Sequence, residues 1–162
     1  MNRSVFRPKG HLLALAAALA VPALIAATPL AGCAVLSPFS MLSPTDCMTR
    51  VMYFESNRSS AEGMLAVGTV VMNRVNDPKF PNTVCGVVGQ PNQFAPGVLW
   101  NPMKEGKSQA LARQMAERVL RGERHAGVGT QAKFFHTEGY SFPYTNMHYV
   151  AVAGGNAFYE KR

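Results

Sequence analysis

Residues 45–75 read TDCMTRVMYFESNRSSAEGMLAVGTVVMNRV, and their pattern decides the fold class. Thr45 or Asp46 is placed to cap a helix whose apolar positions, Met48, Val51, Met52 and Phe54, recur at helical spacing. Ser59 and Glu62 give a capping-box pattern for a second helix. That helix carries a near-continuous apolar run from Leu65 to Met72, so it is expected to be buried on most sides, and Pro78 stops it. Outward from this pair, prolines, glycines and asparagines between Pro81 and Pro102 read as loop. A third helix is expected over Ser108 to Arg121, ending at Gly122. The segment from Lys133 to Tyr159 is aromatic and Gly-rich, with short strands and no helical period. The expectation is an α+β domain, mainly α, over residues 45–162, with a short β/loop C-terminal part.

Upstream, the chain carries a different signal. Arg3, Arg7 and Lys9 precede an apolar run from Leu12 to Ala27, and no acidic residue interrupts it. Residues 1–32 therefore read as a secretory signal peptide; a retained membrane segment is the alternative. The end of this leader, Leu30-Ala31-Gly32-Cys33, resembles the lipobox of bacterial lipoproteins. The resemblance implies that the Cys33 thiol takes a diacylglycerol and that the chain is held at a membrane by N-terminal lipid. Ordinary signal-peptide cleavage nearby is the other reading. Residues 33–44, with Pro38, Pro44 and several serines, form the lipidated cysteine and its linker. Ala34 rather than Asp follows Cys33, so a periplasm-facing position on the outer rather than the inner membrane is expected.

Removal of the three basic residues of the leader lowers the formal net charge from +7 to +4. Most of the remaining excess lies between Lys104 and Arg124. The ordinary account of such a run is a solvated helix face, and an exported chain meets anionic wall polymer before nucleic acid, so no nucleic-acid partner is expected. With Cys33 assigned to lipid, Cys47 and Cys85 remain as an even pair in an oxidising compartment. They are expected to form a disulfide, two free buried thiols being the alternative. Neither cysteine stands at ligand spacing from a histidine, and His125, His136 and His148 show no metal pattern, so neither metal nor cofactor is expected.

The residues that invite chemistry are Tyr53-Phe54-Glu55-Ser56-Asn57-Arg58. Glu55 falls at the end of one helix and just before the next, flanked by apolar side chains. Lost solvation raises a carboxyl pKa, and a carboxyl kept protonated near neutral pH suits a general acid. From spacing alone a solvated carboxylate, or one paired with Arg58, is the commoner outcome.

Several separated segments resemble the cell-wall hydrolase family that includes the spore-cortex-lytic enzymes. They are Tyr53-Phe54-Glu55, Glu62-Gly63, Met72-Asn73-Arg74-Val75, Phe80-Pro81-Asn82-Thr83, Gln93-Phe94, Lys133-Phe134-Phe135-His136 and Gly154-Gly155-Asn156-Ala157-Phe158-Tyr159. The resemblance implies a lysozyme-like fold and cleavage of peptidoglycan glycan strands, with Glu55 as catalytic acid and base. Tyr53, Asn73, Gln93, Phe94, His136 and Tyr159 are the implied substrate-binding positions. For a two-carboxylate hydrolase, Asp46 and Asp77 are the nearest second acids in sequence. Trp100 and Tyr140 are possible sugar platforms or half-buried structural rings. The chain departs from the family pattern at Ser56-Asn57-Arg58, at Ser59, where the family has a second Glu, and at Asn156, where a His is common. These departures keep a non-catalytic wall-binding or assembly lipoprotein as the rival reading. A peptidoglycan amidase lacks its zinc ligands or a free nucleophilic cysteine here.

Overall fold

The computed structural model describes residues 41–56, 58 and 60–162. The leader, Cys33, most of the linker and two of the departures, Asn57 and Ser59, lie outside the described residues. Helix α1 spans Pro44–Glu55, and its cap is Ser43 rather than Thr45 or Asp46. The Ser43 hydroxyl accepts from the Asp46 N–H at 3.1 Å, while the Asp46 carboxylate accepts from the Ser43 N–H at 3.2 Å. This reciprocal box is displaced upstream because Pro44, with no N–H to satisfy and its φ already helical, suits the first position.

Helix α2, Ala61–Val75, is capped by Ser60, whose hydroxyl accepts from the Gly63 N–H at 3.0 Å. Glu62 turns away to His125, 3.4 Å distant, so the box expected from Ser59 and Glu62 is not the one used. Met64, Ala66, Val67, Val70 and Val71 are fully buried, as the apolar run predicts. Gly68 lets the neighbouring helices close on α2: a Cβ there would lie 2.2 Å from the Met52 methyl of α1 and 3.0 Å from Val119. Val119 belongs to α4, Gly106–Leu120, which begins two residues before the expected Ser108. Gly122, at φ 107°, lies just beyond its end.

The segment expected to be all loop contains one helical turn and a half, α3, Val84–Val88. Five residues are too few to show a period, and its visible signal is Thr83, whose hydroxyl accepts from the Gly86 N–H at 3.1 Å. Cys85 of α3 is bonded to Cys47 of α1. The three C-terminal strands are β1 (Phe134–Thr137), β2 (Met147–Ala153) and β3 (Asn156–Lys161). They form one antiparallel sheet in the order β1-β3-β2. Phe158, fully buried, seats the central strand in the core. The β2–β3 turn abuts the start of α2: a Cβ on Gly154 would lie 2.5 Å from the Gly63 Cα. Among the described residues, four helices and a three-stranded sheet make the fold α+β and mainly helical.

Candidate active site

Glu55 is the last residue of α1, and the way the helix stops exposes its side chain to a cleft. The Ser56 hydroxyl folds back to the Met52 carbonyl at 2.7 Å, with extended backbone at Ser56 that turns the chain out of the helix. A terminal helix carbonyl lacks an intrahelical donor. For Glu55 that donor comes from the sheet, the Asn156 Nδ2 at 2.7 Å from the Glu55 carbonyl oxygen. The close Gly63–Gly154 approach brings the β2–β3 turn near enough for this bond. The family position at which this sequence departs thus ties the sheet to the acid-bearing residue.

The cleft has a volume of about 490 Å³. Phe54 and Glu55 of α1 and Arg74 of α2 form one wall; Phe135, His136 and Thr137 of β1 with Asn156 of β3 form the other. The loop Asn92-Gln93-Phe94 closes a third side. Asn92 holds this loop in the left-handed conformation at φ 59°, which asparagine tolerates better than most side chains. Ala95, which follows Phe94, donates its backbone N–H to the Glu55 carboxylate. Burial pushes the Glu55 carboxyl above its ordinary range; the Ala95 N–H and the positive charge of Arg74 pull the other way without cancelling it.

Arg74 is only 4 % exposed. Its Nε donates to the Lys133 carbonyl at 2.8 Å, and the guanidinium lies 5.1 Å from the Phe94 ring centre and 5.4 Å from that of Phe80. Its Nη1 is buried with no hydrogen-bond partner. Burial lowers its pKa to about 10, so the cation persists at neutral pH beside Glu55. A charge held against aromatic faces is stabilised by their quadrupoles, which offsets part of the lost hydration. His136 donates Nδ1–H to the Thr137 carbonyl at 2.8 Å, since a carbonyl only accepts. Its Nε2 lies 2.8 Å from the Tyr149 hydroxyl.

Of the positions named from sequence, Glu55, Gln93, Phe94 and His136 line one cleft, and Tyr53, Asn73 and Tyr159 do not. Tyr53 is buried, and its hydroxyl accepts from the N–H groups of Lys104 and Glu105 at 3.2 Å each. Asn73 donates to the carbonyls of Gly129 and Ala132 at 2.9 and 2.8 Å, which fixes the segment leading into β1. A helix period places every third or fourth residue on the core side, and the polar atoms of both close backbone bonds there; Asn73 also lines a second cleft with Asn76, Asp77 and Lys133. Tyr159 pairs with Phe134 across the sheet, its ring stacked on Phe134 at 5.4 Å and 5.8 Å from that of His136. Burial raises its phenol pKa.

Arg58 is not the partner of Glu55; it pairs with Glu105. Asp46 is engaged with Ser43 and Arg113 at the opposite end of α1, and Asp77 pairs with Lys133 at 3.1 Å. Among the described residues that line the cleft, Glu55 is the single carboxylate. Sequence reasoning missed Arg74, Asn92, Phe135 and Thr137. Arg74 and Phe135 lay inside motifs that resemble the family, yet a helix-end arginine ordinarily points to solvent and a strand phenylalanine to the core; Asn92 and Thr137 carry no local signal.

Residues 58–159, more than half of the chain, match the model of the family described as cell wall hydrolase. The match begins three residues beyond Glu55. The spore cortex-lytic enzyme of Oceanobacillus iheyensis is 39 % identical over 56 residues, which are 33 % of this chain and 20 % of that protein. For the spore cortex-lytic enzyme of Bacillus subtilis the figures are 38 % over 47 residues, 29 % of this chain and 15 % of the relative. The chain thus matches about a fifth or less of the length of these relatives. The catalytic domain of the Bacillus cereus SleB protein superposes with a TM-score of 0.59 at 24 % identity, over 72 % of this chain and 89 % of that one. The catalytic domain of the germination-specific lytic transglycosylase SleB from Bacillus anthracis gives 0.57 at 24 % identity, over 72 % and 93 %. At that identity the superpositions speak to the fold, and the family match carries the assignment: this chain belongs to the cell wall hydrolase family.

Proposed function

We propose that the chain cleaves peptidoglycan glycan strands at the bond between N-acetylmuramic acid and N-acetylglucosamine, with Glu55 as both acid and base. One observation carries this reading: a single, partly desolvated carboxylate with a raised pKa lines an open cleft that offers no second acid among its described residues. Protonated Glu55 donates its proton to the glycosidic oxygen as the bond to the muramic C1 breaks. The resulting carboxylate then takes the proton of the muramic C6 hydroxyl as that oxygen bonds to C1. The products are a 1,6-anhydro end and a new N-acetylglucosamine end, so atoms and charge balance without water. A hydrolase of two carboxylates needs its acids roughly 5–10 Å apart, and Asp46 and Asp77 are held elsewhere. Arg74 stabilises the carboxylate formed midway, and the Ala95 N–H fixes its orientation. Water in place of the C6 hydroxyl would give the muramidase outcome with the same acid.

The rival reading, a wall-binding or assembly lipoprotein without activity, rests on the substitutions at Ser59 and Asn156. The Asn156 bond to the Glu55 carbonyl favours a kept site over a decayed one. Digestion of purified sacculi with the chain and with its Glu55→Gln variant, followed by mass spectrometry, separates the readings. Anhydro-muropeptides from the unsubstituted chain alone are expected. Reducing ends would mean a hydrolase, and no release with retained sacculus binding would overturn catalysis. The leader and Leu30-Ala31-Gly32-Cys33 support lipid anchorage at Cys33 on the periplasmic side, more consistent with the outer membrane. Metabolic labelling with radioactive palmitate, lost on Cys33→Ser, tests that part.

A further inference from the structure

Most of the exposed large apolar side chains among the described residues sit in one place, between residues 140 and 149. Phe142 and Tyr144 are 43 % and 65 % exposed, and their rings stack within 12° of parallel at 6.3 Å. The Phe142 ring meets His136 edge-on at 4.8 Å, and His136 is a wall of the Glu55 cleft. The platform is therefore continuous with the cleft. It is also braced: the Glu138 N–H donates to the Gly155 carbonyl at 2.9 Å, and the Arg162 N–H to the Asn146 carbonyl at 3.1 Å, so both ends of the segment are held to the sheet. Rings left in water forgo the gain of burial, and a contiguous exposed patch of them marks a surface kept for contact.

We propose that Phe142 and Tyr144 form a second saccharide subsite, extending the Glu55 cleft past His136 so that it grips a longer N-acetylhexosamine strand. This rests on the reading that the cleft takes glycan. The patch is composed of flat rings rather than aliphatic chains, and Tyr144 adds a phenol oxygen at its edge. A pyranose presents a face of C–H groups to such a ring and its hydroxyls to water and to polar tips. An aliphatic partner surface would offer the Tyr144 phenol no hydrogen bond.

The test uses the full chain carrying Glu55→Gln, so that turnover does not consume the ligand. Affinity is measured for a disaccharide-peptide fragment and for long un-cross-linked peptidoglycan strands. The added double substitution Phe142→Ala/Tyr144→Ala is expected to weaken long-strand binding about tenfold and to leave the fragment unchanged. The swap Phe142→Tyr/Tyr144→Phe, which keeps both rings, should retain long-strand affinity. Equal long-strand affinity with and without the rings would overturn the subsite while leaving the cleft reading intact. Equal weakening of both ligands would mean a disturbed cleft and overturn it too. Binding of neither ligand by the parent would sink the glycan reading itself. Loss of binding to phospholipid vesicles, with strand binding unchanged, would assign the rings to lipid instead.

Discussion

Helix α1 carries a carboxylate near each end, and the two have opposite fates. Asp46, in the first turn, accepts from the Ser43 hydroxyl and backbone and lies beside Arg113, and these bonds hold its carboxyl below the ordinary range. Glu55, at the last position, receives one backbone N–H and the charge of Arg74, and burial holds it above the ordinary range. The same chemical group is thus held as a structural anion at one end, while at the other its protonated form is favoured. The difference lies in how many donors compensate for lost water. At a helix start free N–H groups abound, whereas at a helix end the free groups are carbonyls that repel a carboxylate. The disulfide reinforces the division, tying the Asp46 end to α3 through Cys47, while at the Glu55 end the Asn156 side chain closes the terminal carbonyl.

The largest test of that contrast is kinetic. Glu55→Gln should lower the rate of sacculus digestion by roughly 10²–10⁴-fold, the usual worth of a positioned acid, while Asp46→Asn stays near the parent rate. Comparable losses from both would dissolve the distinction. Next in size is the disulfide. Its ring spans a sequence separation of 38 residues, and its reduction should cost about 3–4 kcal/mol in denaturant unfolding. A measured change near zero would mean that the Asp46 end is held by packing alone.

Gly154 probes the other anchor. Its φ of 57° and its contact with the Gly63 backbone leave no room for a methyl group. Gly154→Ala should therefore cost about 1–3 kcal/mol. It should also lower activity by shifting Asn156 off the Glu55 carbonyl. Stability lost with activity unchanged would show that the Asn156 bond is not what positions the acid.

The smallest effects are pH-dependent, and their signs oppose each other. Asp46, with its folded pKa depressed, contributes stability above its unfolded pKa that is lost as pH falls through the folded value. Glu55, with its folded pKa raised, contributes stability below its unfolded pKa that is lost as pH rises through the folded value. Thermal melts of Asp46→Asn should approach the parent in acid, whereas Glu55→Gln should gain on the parent as pH rises above the ordinary glutamate range. Removing the nearby cation with Arg74→Met should carry the alkaline limb of the activity profile to higher pH, since Arg74 lowers the Glu55 pKa. An unmoved limb in a folded variant would remove Arg74 from the electrostatics of the site.

Much of this was legible because it is local. The apolar spacing of Met48, Val51 and Met52, and the run through Val70, announce two packed helices whatever surrounds them. Cap positions slipped by one to three residues, because Ser43 and Ser60 compete with equally plausible neighbours and only backbone geometry chooses among them. Helix α3 was hidden by its length. At the site, Gln93, Phe94 and His136 were found through motif resemblance and do line the cleft. Tyr53 and Asn73 belonged to the same motifs and serve the core, because a motif records which residues go together without recording which way each one faces.

By itself the sequence determined the helix pair, the mixed class, the cysteine pair available for a bond and the carboxyl at the helix end. All follow from neighbours within a few residues, where periodicity, capping and composition act. Only the tertiary structure decided that Asn156, 101 positions away, would close the Glu55 carbonyl. It alone placed Arg74 between aromatic rings from three segments, and laid Phe142 and Tyr144 beside the cleft. Desolvation and through-space charge depend on what the whole chain folds around a group, and no local pattern encodes them.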